Sequence, residues 1–225
     1  MIIYITRHGQ PTTSKDDLFT RGDPPLSRLG GVQASLLGRR LKAMEFTGTI
    51  LASPYLRTSH TANFIARELD TTFRLAPGFR EHAVVGIEEF TGPTLAQLHQ
   101  ECERLADNAD LPFPWWTVEL EDFPMVCRRV GSFLAELTAK TSEDILLVGH
   151  GASVEAGMHC LLHEHAPKAL AEKGHNWNCF LSAIRVKPVV EPLFLCNVDH
   201  LPLEKTTSNH ASYEEIREKL NRTVS

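Results

Sequence analysis

No apolar run in the chain approaches the roughly 20 residues that a bilayer span needs, so no membrane partner is expected. Basic residues are in the minority, with Lys and Arg numbering 23 against 28 Asp and Glu, for a formal net charge of -5. That balance leaves no cationic surplus to hold nucleic acid or an anionic surface. The apolar N-terminal stretch is too short, and its flanks are wrong, for a signal peptide. Cysteine is scarce: Cys102, Cys127, Cys160, Cys179 and Cys196 are odd in number, scattered, and without CxxC spacing. This excludes a disulfide framework and a structural zinc knuckle, and favours reduced thiols in a cytoplasmic location. His159, His163 and His165 share a helical spacing but lack an acidic partner in HExxH order, so no metal and no cofactor is expected. His159 and Cys160 are expected to touch the core. There is no repeat, low-complexity tract or linker to divide the 225 residues.

What the chain does have is Ile2-Ile3-Tyr4-Ile5-Thr6, five β-branched or aromatic residues that suit a strand buried on both faces. The run ends abruptly on Arg7-His8-Gly9, placing a cation and an imidazole at a strand's carboxyl end before a residue with no Cβ. In open α/β sheets that edge is where ligands bind. A second apolar run, Asp144 to Val148, ends on Gly149-His150-Gly151. Between them Thr49 to Ala52 predicts another buried strand, stopped by Ser53-Pro54 and followed by Arg57.

The intervening segments read as helices. Ser27 caps a helix over Leu29–Met44, Leu56–Leu69 carries an apolar stripe, and Thr94 caps a helix running to about Ala106. Longer helices are predicted over Leu120–Lys140 and Ala152–Leu162. Thr72–Leu75 is a third strand. Cys179–Val186 and Val189–Asn197 are paired strands turned at Lys187-Pro188. Pro11–Arg28 is a polar loop, and residues 76–117 form an insertion or lid beside the sheet, with Trp115-Trp116 either lining a pocket or packing. A polar tail from Asp199 ends in a short helix near Tyr213–Leu220. Strands alternating with helices indicate one α/β domain over residues 1–225, three layers deep around a mixed, mostly parallel sheet.

Three strand ends delivering Arg7, His8, Arg57 and His150 to one sheet edge would make an anion pocket. Arginine's planar fork donates two parallel hydrogen bonds to a tetrahedral oxyanion. The helix after His150 would add backbone N–H groups and a positive dipole end. One imidazole could attack phosphorus while the other donates to the developing charge.

These motifs, in this order, resemble the histidine phosphatase superfamily, which includes phosphoglycerate mutases and many phosphomonoesterases. Arg7-His8-Gly9 with Gln10 looks like its signature triplet. Asp23-Pro24-Pro25-Leu26-Ser27 with Gly30 and Gln33-Ala34 is similar to the segment that follows it. Ser53-Pro54 with Arg57 and Thr61-Ala62 resembles the second arginine motif, Arg80-Glu81 the acidic position, and Val148-Gly149-His150-Gly151 the second histidine motif. The resemblance implies the phosphoglycerate mutase-like fold, with His8 as the nucleophile that becomes phosphohistidine. Arg7 and Arg57 would clamp the phosphoryl oxygens, and His150 with Gly151 and Gln10 would complete substrate binding. Glu81 would protonate the leaving oxygen, with His82, Glu88 and Glu89 as rival donors.

Departures from the family matter too. Pro11-Thr12-Thr13-Ser14 lacks the Trp-Asn pair of the mutases, and Gly86-Ile87-Glu88-Glu89-Phe90 replaces their Trp-Glu-Gly. The expected activity is therefore metal-independent phosphomonoester hydrolysis on a small phosphorylated substrate. A phosphoglycerate mutase-type transferase and a silent phospho-ligand binder are the alternatives. The oligomeric state is open, a dimer included.

Overall fold

The structure is a computed structural model that describes residues 1–12, 22–83, 90–209 and 211–216. In chain order it contains β1 (Ile2–Arg7), α1 (Arg28–Ala43), β2 (Thr49–Ala52), α2 (Leu56–Leu69), β3 (Phe73–Leu75), α3 (Leu95–Glu101), α4 (Phe123–Lys140), β4 (Ile145–Gly149), α5 (Gly151–Leu162), α6 (Pro167–Ala171), β5 (Leu181–Arg185), β6 (Glu191–Asn197) and a small hairpin, β7 (Thr207–Ser208) with β8 (Ala211–Ser212). Six strands form one sheet in the order β3-β2-β4-β1-β5-β6. The first four are mutually parallel, and β5 and β6 run antiparallel at one side. This is the mixed, mostly parallel sheet expected from the strand–helix alternation.

The sheet is buried on both faces because side chains alternate along each strand. Tyr4 of β1 and Leu146 and Val148 of β4 join Leu37, Leu41 and Ile65 of α1 and α2 in one apolar cluster. Ile3, Ile5, Ile145 and Leu147 point the other way, onto Val126, Val130 and Val154 of α4 and α5. Helices therefore cover both faces, in three layers. Ser27 caps α1 by accepting from the Gly30 amide at 3.1 Å, and Thr94 makes a full capping box with Gln97 at α3.

Several boundaries differ from the sequence reading, each for a visible reason. α3 stops at Glu101 because the following chain is captured by the edge of β3: the Phe73 amide donates to Arg104 and the Ala106 amide to Phe73. α4 starts at Phe123, where Asp122 accepts from the Met125 amide at 2.8 Å and Pro124 sits in the first turn. α6 was not expected. Cys160 is exposed rather than core-facing, and His159 is half-buried beside it. The tail is not a free polar segment: β7 and β8 fold back over the carboxyl edge of β1. Tyr213–Ile216 is helical, as expected, and stacks Tyr213 on Trp177 at 5.1 Å. The remainder of that helix, Thr13-Ser14, Gly86-Ile87, and the rival acids Glu88 and Glu89 lie outside the described residues.

Candidate active site

Parallel pairing alone brings the motifs together. Arg7 of β1 stands opposite Gly149 of β4, and the His8 amide donates to the Gly149 carbonyl at 2.9 Å. The Ser53 amide, just beyond β2, donates to Val148 at 3.0 Å. Three strand ends thus lie side by side, and the His8 and His150 rings sit with centroids 5.4 Å apart.

His8 is 3% exposed. Its Nδ1 lies 2.7 Å from the Gly9 carbonyl oxygen, which can only accept, so Nδ1 carries the proton and Nε2 keeps its lone pair. Burial, then the charges of Arg57 and Arg7, holds the imidazole well below its ordinary pKa. A neutral ring with a free Nε2 is the nucleophilic form. The turn behind it is tight: a Cβ on Gly30 would stand 2.2 Å from the Gln10 carbonyl oxygen, so only glycine lets α1 approach β1 this closely.

Arg7 is held by the Asn176 carbonyl at 3.0 Å, by Ser208 Oγ at 3.3 Å, and by Asn209 Oδ1. Its Nε is buried with no partner among the described residues. Arg57 donates to Asp23 at 3.1 Å and to the Gly22 carbonyl at 2.9 Å, with its guanidinium 4.6 Å over the Tyr55 ring. His150 caps α5, places Nε2 2.8 Å from Ser53 Oγ, and leaves a buried Nδ1 without a hydrogen-bond partner among the described residues. When Ser53 donates to Nε2, the His150 proton resides on that Nδ1. Burial, Arg57 and His8 keep His150 neutral as well. Both Arg7 Nε and His150 Nδ1 are buried polar atoms that no hydrogen bond among the described residues satisfies.

Glu81 follows a 3-10 turn and reaches within 3.9 Å of His150 Nδ1. Its other oxygen accepts from the His82 amide at 3.0 Å and contacts His82 Nδ1 at 3.1 Å. Burial pushes this carboxyl up, but the His82 hydrogen bonds and Arg57 outweigh it and hold it below the ordinary value. The same contact raises His82. In the unliganded site Glu81 is thus ionised, the opposite of the raised pKa expected of a proton donor. A phosphoryl dianion beside it would push it up by like-charge repulsion. Gln10 is turned to Ser27, whose hydroxyl donates to its Oε1 at 2.8 Å, so this oxygen braces the start of α1. Gly151 opens α5 beside His150, and a Cβ there would meet nothing within 4 Å.

Sequence reasoning missed the layer that fixes the triplet. Asn178, fully buried, donates to the His8 carbonyl at 3.0 Å and accepts from Thr207 at 3.0 Å. Thr207 in turn accepts from Gln33 at 2.9 Å, and Gln33 accepts from the Gln10 amide at 2.8 Å. Only Gln33 had a signal, as a polar residue on the apolar face of a predicted helix.

A family model described as the histidine phosphatase superfamily (branch 1) matches residues 3–191. The chain belongs to that superfamily. Within it, a 2,3-bisphosphoglycerate-dependent phosphoglycerate mutase of Nitrobacter winogradskyi is 38% identical over 73 residues, 32% of this chain and 35% of that protein. The matched part thus spans about a third of that relative's length. A protein of Hydrogenobacter thermophilus, provisionally named phosphoserine phosphatase 2, is 30% identical over 167 residues, 71% of this chain and 77% of its own. The histidine phosphatase fold recurs in an ecdysone phosphate phosphatase of Bombyx mori solved with tungstate, with TM-score 0.67, 18% identity, and coverage of 89% of this chain and 93% of that one.

Proposed function

We propose that this histidine phosphatase hydrolyses a small phosphomonoester without a metal, through a phosphohistidine on His8. The observation that carries the reading is the neutral His8 whose Nε2 lone pair is left free by the Gly9 contact, with the His150 ring 5.4 Å away and the charges of Arg57 and Arg7 acting on it. The Nε2 lone pair forms the N–P bond as the ester P–O bond breaks. Arg7, Arg57 and His150 donate to the phosphoryl oxygens, where charge accumulates. The leaving oxygen takes a proton from Glu81, which acquires it from solvent as the incoming dianion raises its pKa. Water then attacks phosphorus and gives its proton to Glu81. The N–P bond breaks, its electron pair returns to His8, and inorganic phosphate leaves. Phosphomonoester hydrolysis is among the slowest uncatalysed reactions, so these contacts together supply on the order of 20 kcal/mol.

Phosphate release from a generic phosphomonoester panel in the presence of chelator tests this. Release should survive the chelator and fall by at least about 10³-fold in His8→Ala. Activity retained by that variant would contradict the mechanism, and turnover that appears only with a bisphosphoglycerate primer would indicate the transferase alternative. A cytoplasmic location fits the five free cysteines. No helix among the described residues is long and apolar enough to cross a membrane.

A further inference from the structure

The side of the pocket from which the alcohol departs is built differently from the phosphoryl side. Glu81 marks that direction, since the proton donor must reach the bridging oxygen. Beside it, a recess of about 480 Å³ is lined by His82, Ala83, Leu120, Phe123, Val126 and Ala152. His82 is the hydrogen-bond partner of Glu81, and Ala152 lies in the first turn of α5 after His150, so the recess adjoins the site. A larger recess of about 700 Å³ between α1 and α2 is lined, among the described residues, by no such neighbour of Glu81 or His150.

The only carboxylate lining the smaller recess among the described residues, Glu121, is neutralised by Arg80 at 2.5 Å and Arg129 at 2.9 Å. Those two guanidiniums are thereby engaged as well. Leu120 and Phe123 are 53% and 43% exposed, an apolar surface left open beside a charged centre. Ala83 also joins Tyr55, Phe90 and Trp115 in an aromatic cluster, and Tyr55 packs against His150 with ring centroids 4.8 Å apart. The Trp115 indole N–H is committed to the Pro93 carbonyl at 2.9 Å. A carboxylate on the alcohol would lose water here, where the one titratable cation of the lining among the described residues, His82, is already engaged by Glu81. An aromatic ring would exchange water for apolar contact.

We infer that the substrate's alcohol is apolar and aromatic and seats in the recess between His82 and Leu120. This rests on the phosphatase reading, and the test separates the two. Aryl esters also have better leaving groups, so the comparison uses 2-phenylethyl phosphate and phosphoserine, both esters of primary alcohols. The expected kcat/KM ratio is at least tenfold in favour of the phenylethyl ester. Leu120→Asp, at an exposed position, should erase that preference by lowering kcat/KM for the phenylethyl ester at least tenfold. Calorimetric binding of 3-phenylpropylphosphonate against 2-amino-4-phosphonobutyrate, in each of which a methylene replaces the ester oxygen, gives the same comparison without turnover. Tighter phenylpropylphosphonate binding with no hydrolysis of any ester would uphold the apolar subsite and remove the phosphatase reading. Preference for the amino-acid compounds in either assay, or a preference untouched by Leu120→Asp, would overturn the inference.

Discussion

Asp23 accepts from Arg57 and from the Leu56 amide at 2.7 Å, a carboxylate that burial pushes up to about 6 despite the arginine beside it. His8 and His150 are both held well below the ordinary imidazole value, chiefly by burial. Protonation of Asp23 removes the negative partner that orients Arg57. The acid limb of kcat/KM should therefore lie near pH 6 and belong to Asp23, and Asp23→Asn should be slower throughout with that limb gone. A limb that persists in the variant would assign it elsewhere. Asn209 is the second informative residue. Asn209→Asp puts a carboxylate against Arg7, which pairs with it in place of the phosphoryl group. The inhibition constant of inorganic phosphate should rise at least tenfold with no loss of melting temperature. A simple structural role would lower the melting temperature and leave the constant alone. At this scale strand ends and glycines marked Arg7, His8 and His150 in the sequence, while Glu81 came only from the resemblance and Asp23 carried no role. Asn178, Ser208 and Asn209 were invisible, since only tertiary folding sets them against a triplet about 170 to 200 positions away.

The element that decides whether Glu81 is in place is the short 3-10 turn Pro77–Phe79 and the chain behind it. Glu121 ties it down, accepting from Arg80, Arg129 and the Ala83 amide, while Arg129 also donates to the Gly78 and Arg80 carbonyls at 3.0 and 3.2 Å. Burial raises the Glu121 pKa, but the two arginines prevail and bring it from 4.5 down to about 2. A depressed folded pKa gives stability present above the unfolded value and lost as pH falls towards the folded one. At about 1.4 kcal/mol per pH unit this amounts to roughly 3 kcal/mol. Glu121→Gln should be destabilised by about that much at pH 7, with the gap narrowing by pH 3 in denaturant titrations. A gap constant with pH would contradict the linkage. Helices and buried strands were legible because their apolar periods are long and their caps explicit, as at Ser27 and Thr94. α3 overran in the sequence reading because nothing local shows that β3 captures residues 104–106. β7 and β8 are too short to leave a period.

Across the molecule, parallel pairing of β4 with β1 on one side and β2 on the other converts three distant sequence motifs into one pocket at the carboxyl edge of the sheet. The two faces are sealed by α1 and α2 on one side and α4 and α5 on the other, so that edge is where polar groups gather without breaking the core. The central claim is that phosphorus passes through His8, and acid-labile labelling tests it most directly. The enzyme is mixed with a ³²P-labelled phosphomonoester and quenched with base within milliseconds. About one label per chain should be found, stable to base and lost in acid, on the peptide containing His8 and absent from His8→Ala. No label during active turnover, or equal label in the His8→Ala variant, would contradict the account.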